Sequence, residues 1–315
     1  MFILDWLKVG VSWVLVQFHQ LFSTVMDPAS GWTWTFSIMG LVVLIRILLI
    51  PLFVKQIKAQ RGLQIIQPQL KEIQNKYKGD RERQSQEMMK LYKETGTNPL
   101  ASCLPIILQA PIFFALFSVL QGIAMYNTED PGYTAPGVFQ WEQYQYLLPI
   151  AHDAEIFSVP LYGTLLGADE TPNPLATRVL ALILIVLMSA TTFITQRQLI
   201  VKNSAPDNPM VRQQKILLYV FPVIFAVGGI NFPIGVLIYW FTTNLWTMGQ
   251  QFYVIRNNPQ PGTPAYAAWE ARKESKAKAK AIKRGEVPEE LPDTPSENTA
   301  RVQPKRSTRS KRKKK

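Results

Sequence analysis

Leu41-Val42-Val43-Leu44-Ile45-Arg46-Ile47-Leu48-Leu49-Ile50 decides how the rest of the chain is read. It is an unbroken apolar run with one guanidinium in the middle. At that depth in a bilayer an arginine costs at least ~2.5–3.5 kcal/mol, and such residues usually mark function. None of the membrane segments assigned below contains Asp or Glu, so Arg46 has no buried carboxylate to pair with. It must be held by water, backbone carbonyls, neutral polar side chains, or something arriving from outside.

Working outward, five stretches are long or apolar enough to span a bilayer. They lie at about 32–54, 103–124, 175–196, 214–231 and 233–253. The fourth is short, and only Asn231-Phe232-Pro233 joins it to the fifth. The 315 residues are 47% hydrophobic and 18% charged, with the charge gathered in the loops. Segment 55–102 carries ten Lys/Arg, and the chain from 254 onward carries seventeen. Segment 125–174 has no Lys or Arg and seven Asp/Glu. Basic loops stay cytoplasmic. The reading is therefore an all-α polytopic plasma-membrane protein, with its N-terminus outside and its C-terminus in the cytoplasm. The single Cys103 excludes an internal disulfide framework.

Residues 1–30 read as an outer interfacial amphipathic helix, with Ile3, Leu4, Trp6, Leu7, Val14, Phe18, Leu21, Phe22 and Val25 on its apolar face. Asp5, Lys8, Gln17, His19 and Gln20 interrupt the rest. A signal peptide or an extra span are the alternatives. Residues 31–256 form the five-helix core. Within it, 55–97 reads as a cytoplasmic pair of amphipathic helices around Gly79-Asp80. Loop 125–174 is ring-rich, which suits a membrane-interface cap, and Trp141 to Ile150 suits a short helix. His152, Asp153 and Glu155 in that loop read as a solvated cluster rather than a metal site. Residues 257–315 form a basic cytoplasmic tail, with a helix from Ala265 to Arg284 and disorder beyond. Its last fifteen residues hold nine Lys/Arg and no acid. Lys305, Arg306, Arg309, Lys311, Arg312, Lys313, Lys314 and Lys315 are the candidate polyanion contacts, for ribosomal RNA or anionic lipid. A plain solubilising tail is the simpler account.

Neutral polar side chains recur inside the spans. Many Ser and Thr bond back to their own helix and mean nothing more. Gln109 and Asn244 carry amides that need partners, and polar groups in spans face the bundle interior. Arg46 lies nine residues before Lys55, or ~13–14 Å from the inner interface at 1.5 Å per residue. Snorkelling covers only part of that distance, so water must come in. Pro51 is placed to kink the helix and free carbonyls.

Several motifs in order resemble the YidC/Oxa/Alb membrane-protein insertases. They are Leu44-Ile45-Arg46-Ile47-Leu48-Leu49-Ile50-Pro51-Leu52, Gln67-Pro68-Gln69-Leu70-Lys71-Glu72-Ile73-Gln74-Asn75-Lys76-Tyr77 and Asn98-Pro99-Leu100-Ala101-Ser102-Cys103-Leu104-Pro105 with Gln109-Ala110-Pro111-Ile112-Phe113. The last is Pro233-Ile234-Gly235-Val236-Leu237-Ile238-Tyr239-Trp240 with Asn244 downstream. The resemblance covers about residues 20–256 and is to the Gram-positive form, without a large folded outer domain. It implies a five-transmembrane-helix core, a hydrophilic groove open to cytoplasm and lipid but closed outside, and the cytoplasmic helical hairpin. It makes Arg46 the groove arginine. Arg46, Gln109, Thr191, Thr195, Gln196, Trp240, Thr243 and Asn244 are the expected groove set. Two departures stand out: no lipoprotein-type Cys near the start, and a longer outer loop.

The function expected is a membrane protein insertase and folding chaperone. It would pass short polar segments of nascent membrane proteins through the groove and release their hydrophobic helices into lipid. The alternative is a small anion or solute transporter with Arg46 as its binding site, though the internal repeats expected of many transporters are not visible. A passive scaffold is a third reading. No P-loop, G-x-S-x-G or H-E-x-x-H occurs, so no enzyme activity, catalytic residue, metal or cofactor is expected. Expected partners are nascent membrane proteins, membrane lipids, the ribosome through the basic tail and, as a candidate, the Sec translocon; DNA is not among them.

Overall fold

The computed structural model describes residues 2–54, 66–96, 104–127, 129–130, 132–198, 219–220, 222–259 and 263–284. Residues 55–65 and 97 of the expected hairpin, the motif from Asn98 to Cys103, the start of the fourth span and the tract 301–315 lie outside them. The helices are α1 (Phe2–Phe22), α2 (Gly31–Leu48), α3 (Gln67–Lys76), α4 (Arg81–Glu94), α5 (Leu104–Ala124), α6 (Glu142–Gln145), α7 (Leu147–His152), α8 (Pro174–Arg197), α9 (Ile234–Asn257) and α10 (Pro264–Lys283). Residues 50–54 and 222–229 are also helical. A two-stranded antiparallel hairpin, β1 (Glu155–Ile156) and β2 (Val159–Pro160), completes the fold.

Local chemistry sets the helix starts. Ser30 caps α2 by accepting from the Trp32 N–H at 3.2 Å, and Asn173 caps α8 by accepting from Ala176 at 3.2 Å. The first N–H groups of α9 are capped by the outer loop itself. Ile234 donates to the Gly163 carbonyl and Gly235 to the Leu161 carbonyl, each at 2.9 Å. Pro51 lacks an N–H, and α2 stops at Leu48 before helix resumes at residue 50.

Helices α2, α5, α8 and α9 form the bundle, with α1 lying on α2 and α5. The buried side of α8 reads Thr177, Ala181, Leu184, Met188, Thr191, Thr195, a stripe of helical spacing. Its other side carries exposed Val179, Leu182, Ile183 and Val186. A helix apolar all round belongs in lipid or in a large core, and the exposed face here fits lipid. Gly31–Leu48 and Pro174–Arg197 are long and apolar enough to cross a membrane.

The described residues between 125 and 174 fold into a cap over the end where α2, α8 and α9 begin. The Tyr133 hydroxyl donates to the Gly122 carbonyl of α5 at 3.0 Å, and burial with Tyr126 nearby raises its pKa to about 12. The expected helix over Trp141–Ile150 is instead two, α6 and α7, broken at Tyr146. His152 stacks on Tyr162 at 4.4 Å, and its Nδ1 meets Asp153 at 2.8 Å. Among the described residues no group of His, Cys, Asp and Glu is arranged to hold a metal.

Helix α1 buries a different face from the one its sequence suggests. Val11, Ser12, Leu15, Val16 and His19 are inside. Of the expected face, Leu4, Leu7, Val14 and Phe18 pack half-buried against the core, while Ile3, Trp6 and Leu21 are exposed, so the buried side is rotated from the expected one. Both faces are apolar, and tertiary polar contacts choose between them. Ser12 Oγ accepts from the Val138 N–H at 2.8 Å and donates to the Lys8 carbonyl at 2.6 Å. His19 is 2% exposed, with Nε2 donating to the Pro28 carbonyl at 2.9 Å and its ring stacked on Trp34 at 4.0 Å. Gly137, at φ +57°, allows this approach, because a Cβ there would collide with Ser12.

Helices α3 and α4 pack together across the turn at residues 77–80, with Gln84 Nε2 donating to the Gln74 carbonyl at 3.3 Å. Asp80 caps α4 through the Arg83 N–H at 3.0 Å. Beyond residue 267 the described chain is the remainder of α10, a separate unit, whose Lys273 ammonium lies over the Trp269 ring at 5.2 Å.

Candidate functional site

The bundle is packed unequally along its length. At the cap end α5 buries Ala115, Leu116, Val119, Leu120 and Ile123, and α9 buries every residue from Ile234 to Tyr239. Toward the other end the same helices loosen. Gln109 to Phe114 of α5 are all half-buried or exposed, as is α9 from Thr243 to Val254. The change falls at one level, which contacts between helices define. Gly235 of α9 lies level with Ile38 of α2. Eight residues further along both, ~12 Å at 1.5 Å per residue, are Thr243 and Arg46. Helix α5 runs the opposite way, with Phe113 against Tyr239 and Trp240 at 6.1 and 5.1 Å between ring centroids. One turn before Phe113, Gln109 is therefore level with Thr243 and Asn244. Asn244 itself reaches Met188 and Thr192 of α8.

Arg46 sits in this layer, 7% exposed. Its guanidinium lies over the Phe53 ring at 5.9 Å and beside the Tyr239 phenol, one helical turn from Thr243 on α9. None of the ion pairs among the described residues includes Arg46. Its charge is thus met by an aromatic face and a neutral phenol. The Gln109 Oε1, Ser189 Oγ, Thr195 Oγ1 and Gln198 Oε1 atoms are buried without a hydrogen-bond partner. At the cap end His19 Nδ1, Trp34 Nε1, Thr35 Oγ1 and Gln121 Oε1 are likewise buried without a partner among the described residues. Unpartnered atoms alone therefore do not mark the loose half; what sets it apart is that they lie there beside Arg46 in looser packing.

The expected groove residues divide on inspection. Arg46, Gln109, Thr195 and Thr243 belong to the polar layer with spare or neutral-only partners. Thr191 does not, because its hydroxyl donates to the Leu187 and Met188 carbonyls of its own helix at 2.7 and 3.0 Å. Asn244 acts as a clamp: its amide donates to the Met188 carbonyl at 3.2 Å and to Thr192 Oγ1 at 2.8 Å, tying α9 to α8. Trp240 belongs to an aromatic wall with Phe113, Phe225 and Phe232. Gln196 is half-buried near the end of α8. Two residues were missed, Tyr239 and Thr192. The available signal for Tyr239 was its i,i+4 relation to Thr243, which puts both on one helix face.

A family model described as the 60Kd inner membrane protein matches residues 25–261. A membrane protein insertase YidC from Streptomyces avermitilis is 54% identical over 272 residues, covering 84% of this chain and 61% of the relative. The chain thus spans about three-fifths of that relative's length. One of the same name from Tropheryma whipplei, strain Twist, is 37% identical over 271 residues, covering 81% of this chain and 86% of the relative. A crystal structure of an active YidC insertase with its first transmembrane domain resolved aligns with a TM-score of 0.47 at 21% identity, covering 79% of this chain and 47% of that one.

Proposed function

Because the chain belongs to the 60Kd inner membrane protein family, we propose that it is a membrane protein insertase and folding chaperone. The observation that carries this is Arg46: a buried cation with no carboxylate partner among the described residues, in the layer where a tightly packed bundle gives way to a loose polar one. A permanent structural charge would need a fixed anion, because an unpaired buried ion is costly. A charge met, among the described residues, by Phe53 and Tyr239 gains most when an acidic guest arrives.

The mechanism needs no nucleotide. A short polar segment of a nascent membrane protein enters the loose half from the cytoplasm. Arg46 attracts its carboxylates, and the spare oxygens of Gln109 and Thr195 accept its N–H groups. The adjoining hydrophobic helix moves into lipid, which releases roughly 0.8 kcal/mol per buried CH₂. Where the membrane potential assists, it contributes ~2.3 kcal/mol per charge per 100 mV. The tightly packed cap end closes the outer side. In this reading five spans cross the plasma membrane, the α3–α4 hairpin and the tail face the cytoplasm, and the cap faces out. The basic tract 301–315 supplies ribosome contact, and the Sec translocon is a candidate neighbour.

Insertion by the purified protein in liposomes tests the reading. Wild type should insert a substrate with an acidic translocated tail, and Arg46→Ala should be impaired in doing so. Full activity of Arg46→Ala on every such substrate would overturn it, as would solute flux through the wild type without insertion.

A further inference from the structure

The tip of the cap hairpin is built in an expensive way. Phe157 and Ser158 join β1 to β2 as a two-residue turn, with φ of +54° and +60°. A turn with both central residues left-handed favours Asn-Gly, and a bulky ring there is an outlier. The strain is not repaid by burial, because Phe157 is 70% exposed. Nor is the tip loose. The hairpin rests on the first turn of α2, where a Cβ on Gly31 would collide with the Glu155 backbone. Its conformation holds a ring outward at a fixed height.

What lies beneath the ring is continuous with the bundle's exposed apolar surface. Phe157 stands edge-on to Trp32 at 5.1 Å. Trp32 meets Phe36 at 6.1 Å, and Phe36 meets Phe22 of α1 at 6.1 Å. Trp32 and Phe36 are themselves exposed, on the outward side of an apolar helix long enough to span. From 125 to 174 the cap has no Lys or Arg. Aromatic rings gather at the membrane–water interface, where a flat amphipathic body finds both phases.

The geometry points to Phe157 as a lipid anchor: the hairpin tip dips into the outer leaflet and, with Trp32 and Phe36, seats the cap at the headgroup–acyl boundary. The occupant is outer-leaflet lipid, since the uncharged row Phe157, Trp32, Phe36 and Phe22 lies at the start of a helix long enough to span, where the exposed rings would meet the interface. The inference rests on α2 being a span and the cap facing out, and it is independent of substrate insertion.

Spin labelling of the full-length protein in phosphatidylethanolamine–phosphatidylglycerol vesicles tests it. Cys103→Ser removes the native thiol, and labels are placed through Phe157→Cys, Ser158→Cys and Asp130→Cys separately. The Ser158 label keeps the Phe157 ring in place, so the pair does not depend on one substitution folding. Oxygen concentrates in lipid and a nickel chelate in water. The expected result is a shift toward oxygen at 157 and 158 relative to 130, with insertion activity retained. Nickel-dominated relaxation at both, as at 130, overturns the proposal. So does exclusion of both reagents with dipolar broadening between labels, which would make the patch a contact between two copies. No insertion by the unlabelled Cys103→Ser protein with the oxygen shift intact would count against the proposed function and leave the anchor standing.

Discussion

The two halves of the bundle solve opposite problems with the same four helices. At the cap end Trp34, Phe139, Leu116, Ile234 and Leu237 are fully buried, and a few neutral polar atoms without partners among the described residues are shut in with them. His19, for example, keeps one ring nitrogen bonded and stacks on Trp34. At the other end packing is looser, yet it holds the one buried side chain with a permanent charge among the described residues. Dry packing yields stability and closure. Loose packing around a lone charge yields a place for a polar guest. The contrast teaches that the bundle is stabilised where it must be sealed and left unfinished where it must work.

The largest way to break that contrast is to cut into the sealed half. Trp34→Ala should cost ~3–5 kcal/mol, the usual range for a buried ring, read as a lower midpoint of denaturation in detergent. A small effect would mean that this half is not a packed core. Arg46→Met should do the reverse: spare stability and impair function. Removing an unpaired buried charge should leave Tm unchanged or higher, while insertion of acidic-tailed substrates falls about tenfold, equivalent to ~1.4 kcal/mol. Arg46→Lys should keep more activity than Arg46→Met if charge is what matters.

Asn244→Ala sharpens the comparison at the boundary between halves. Hydrogen bonds between membrane helices average only ~0.6 kcal/mol, so the stability loss should be that small. A large loss of insertion at near-native stability would move Asn244 from clamp to substrate contact. The smallest effect concerns pH. Burial holds the His19 pKa below its ordinary value of 6.5, only partly offset by the Pro28 carbonyl. The unfolded chain therefore takes up its proton first. Stability from this residue is full above pH 6.5 and declines as pH falls below it. His19→Gln should flatten that slope in a denaturation series from pH 7.5 to 5, and an unchanged slope would assign it to other groups.

Much of the architecture was legible because long apolar runs leave few choices. The run around Arg46 ends near Pro51, and α2 stops at Leu48; the stretch read at 175–196 is α8, Pro174–Arg197. Other features carried no local signal. Both faces of α1 are apolar, so periodicity could not select the one that Ser12 and His19 pin inside. The β1–β2 turn uses Phe157-Ser158 where turn chemistry looks for Asn-Gly. At the site, Arg46 was conspicuous as a charge in an apolar run, but its neighbour Tyr239 comes from a distant helix whose sequence gives no register. Thr191 and Thr243 look alike in sequence; only the structure shows Thr191 bonded to the carbonyls of its own helix and Thr243 on the face of α9 that carries Tyr239.

The most direct measurement is thiol accessibility at paired positions on α5. With Cys103→Ser as background, Gln109→Cys and Leu116→Cys lie two turns apart, one in each half. In intact vesicles, a membrane-impermeant maleimide applied from the tail side should label position 109 and leave 116 unreacted. Equal protection of both positions would mean that Arg46 sits in a dry seam, and the hydrated groove would fall with it.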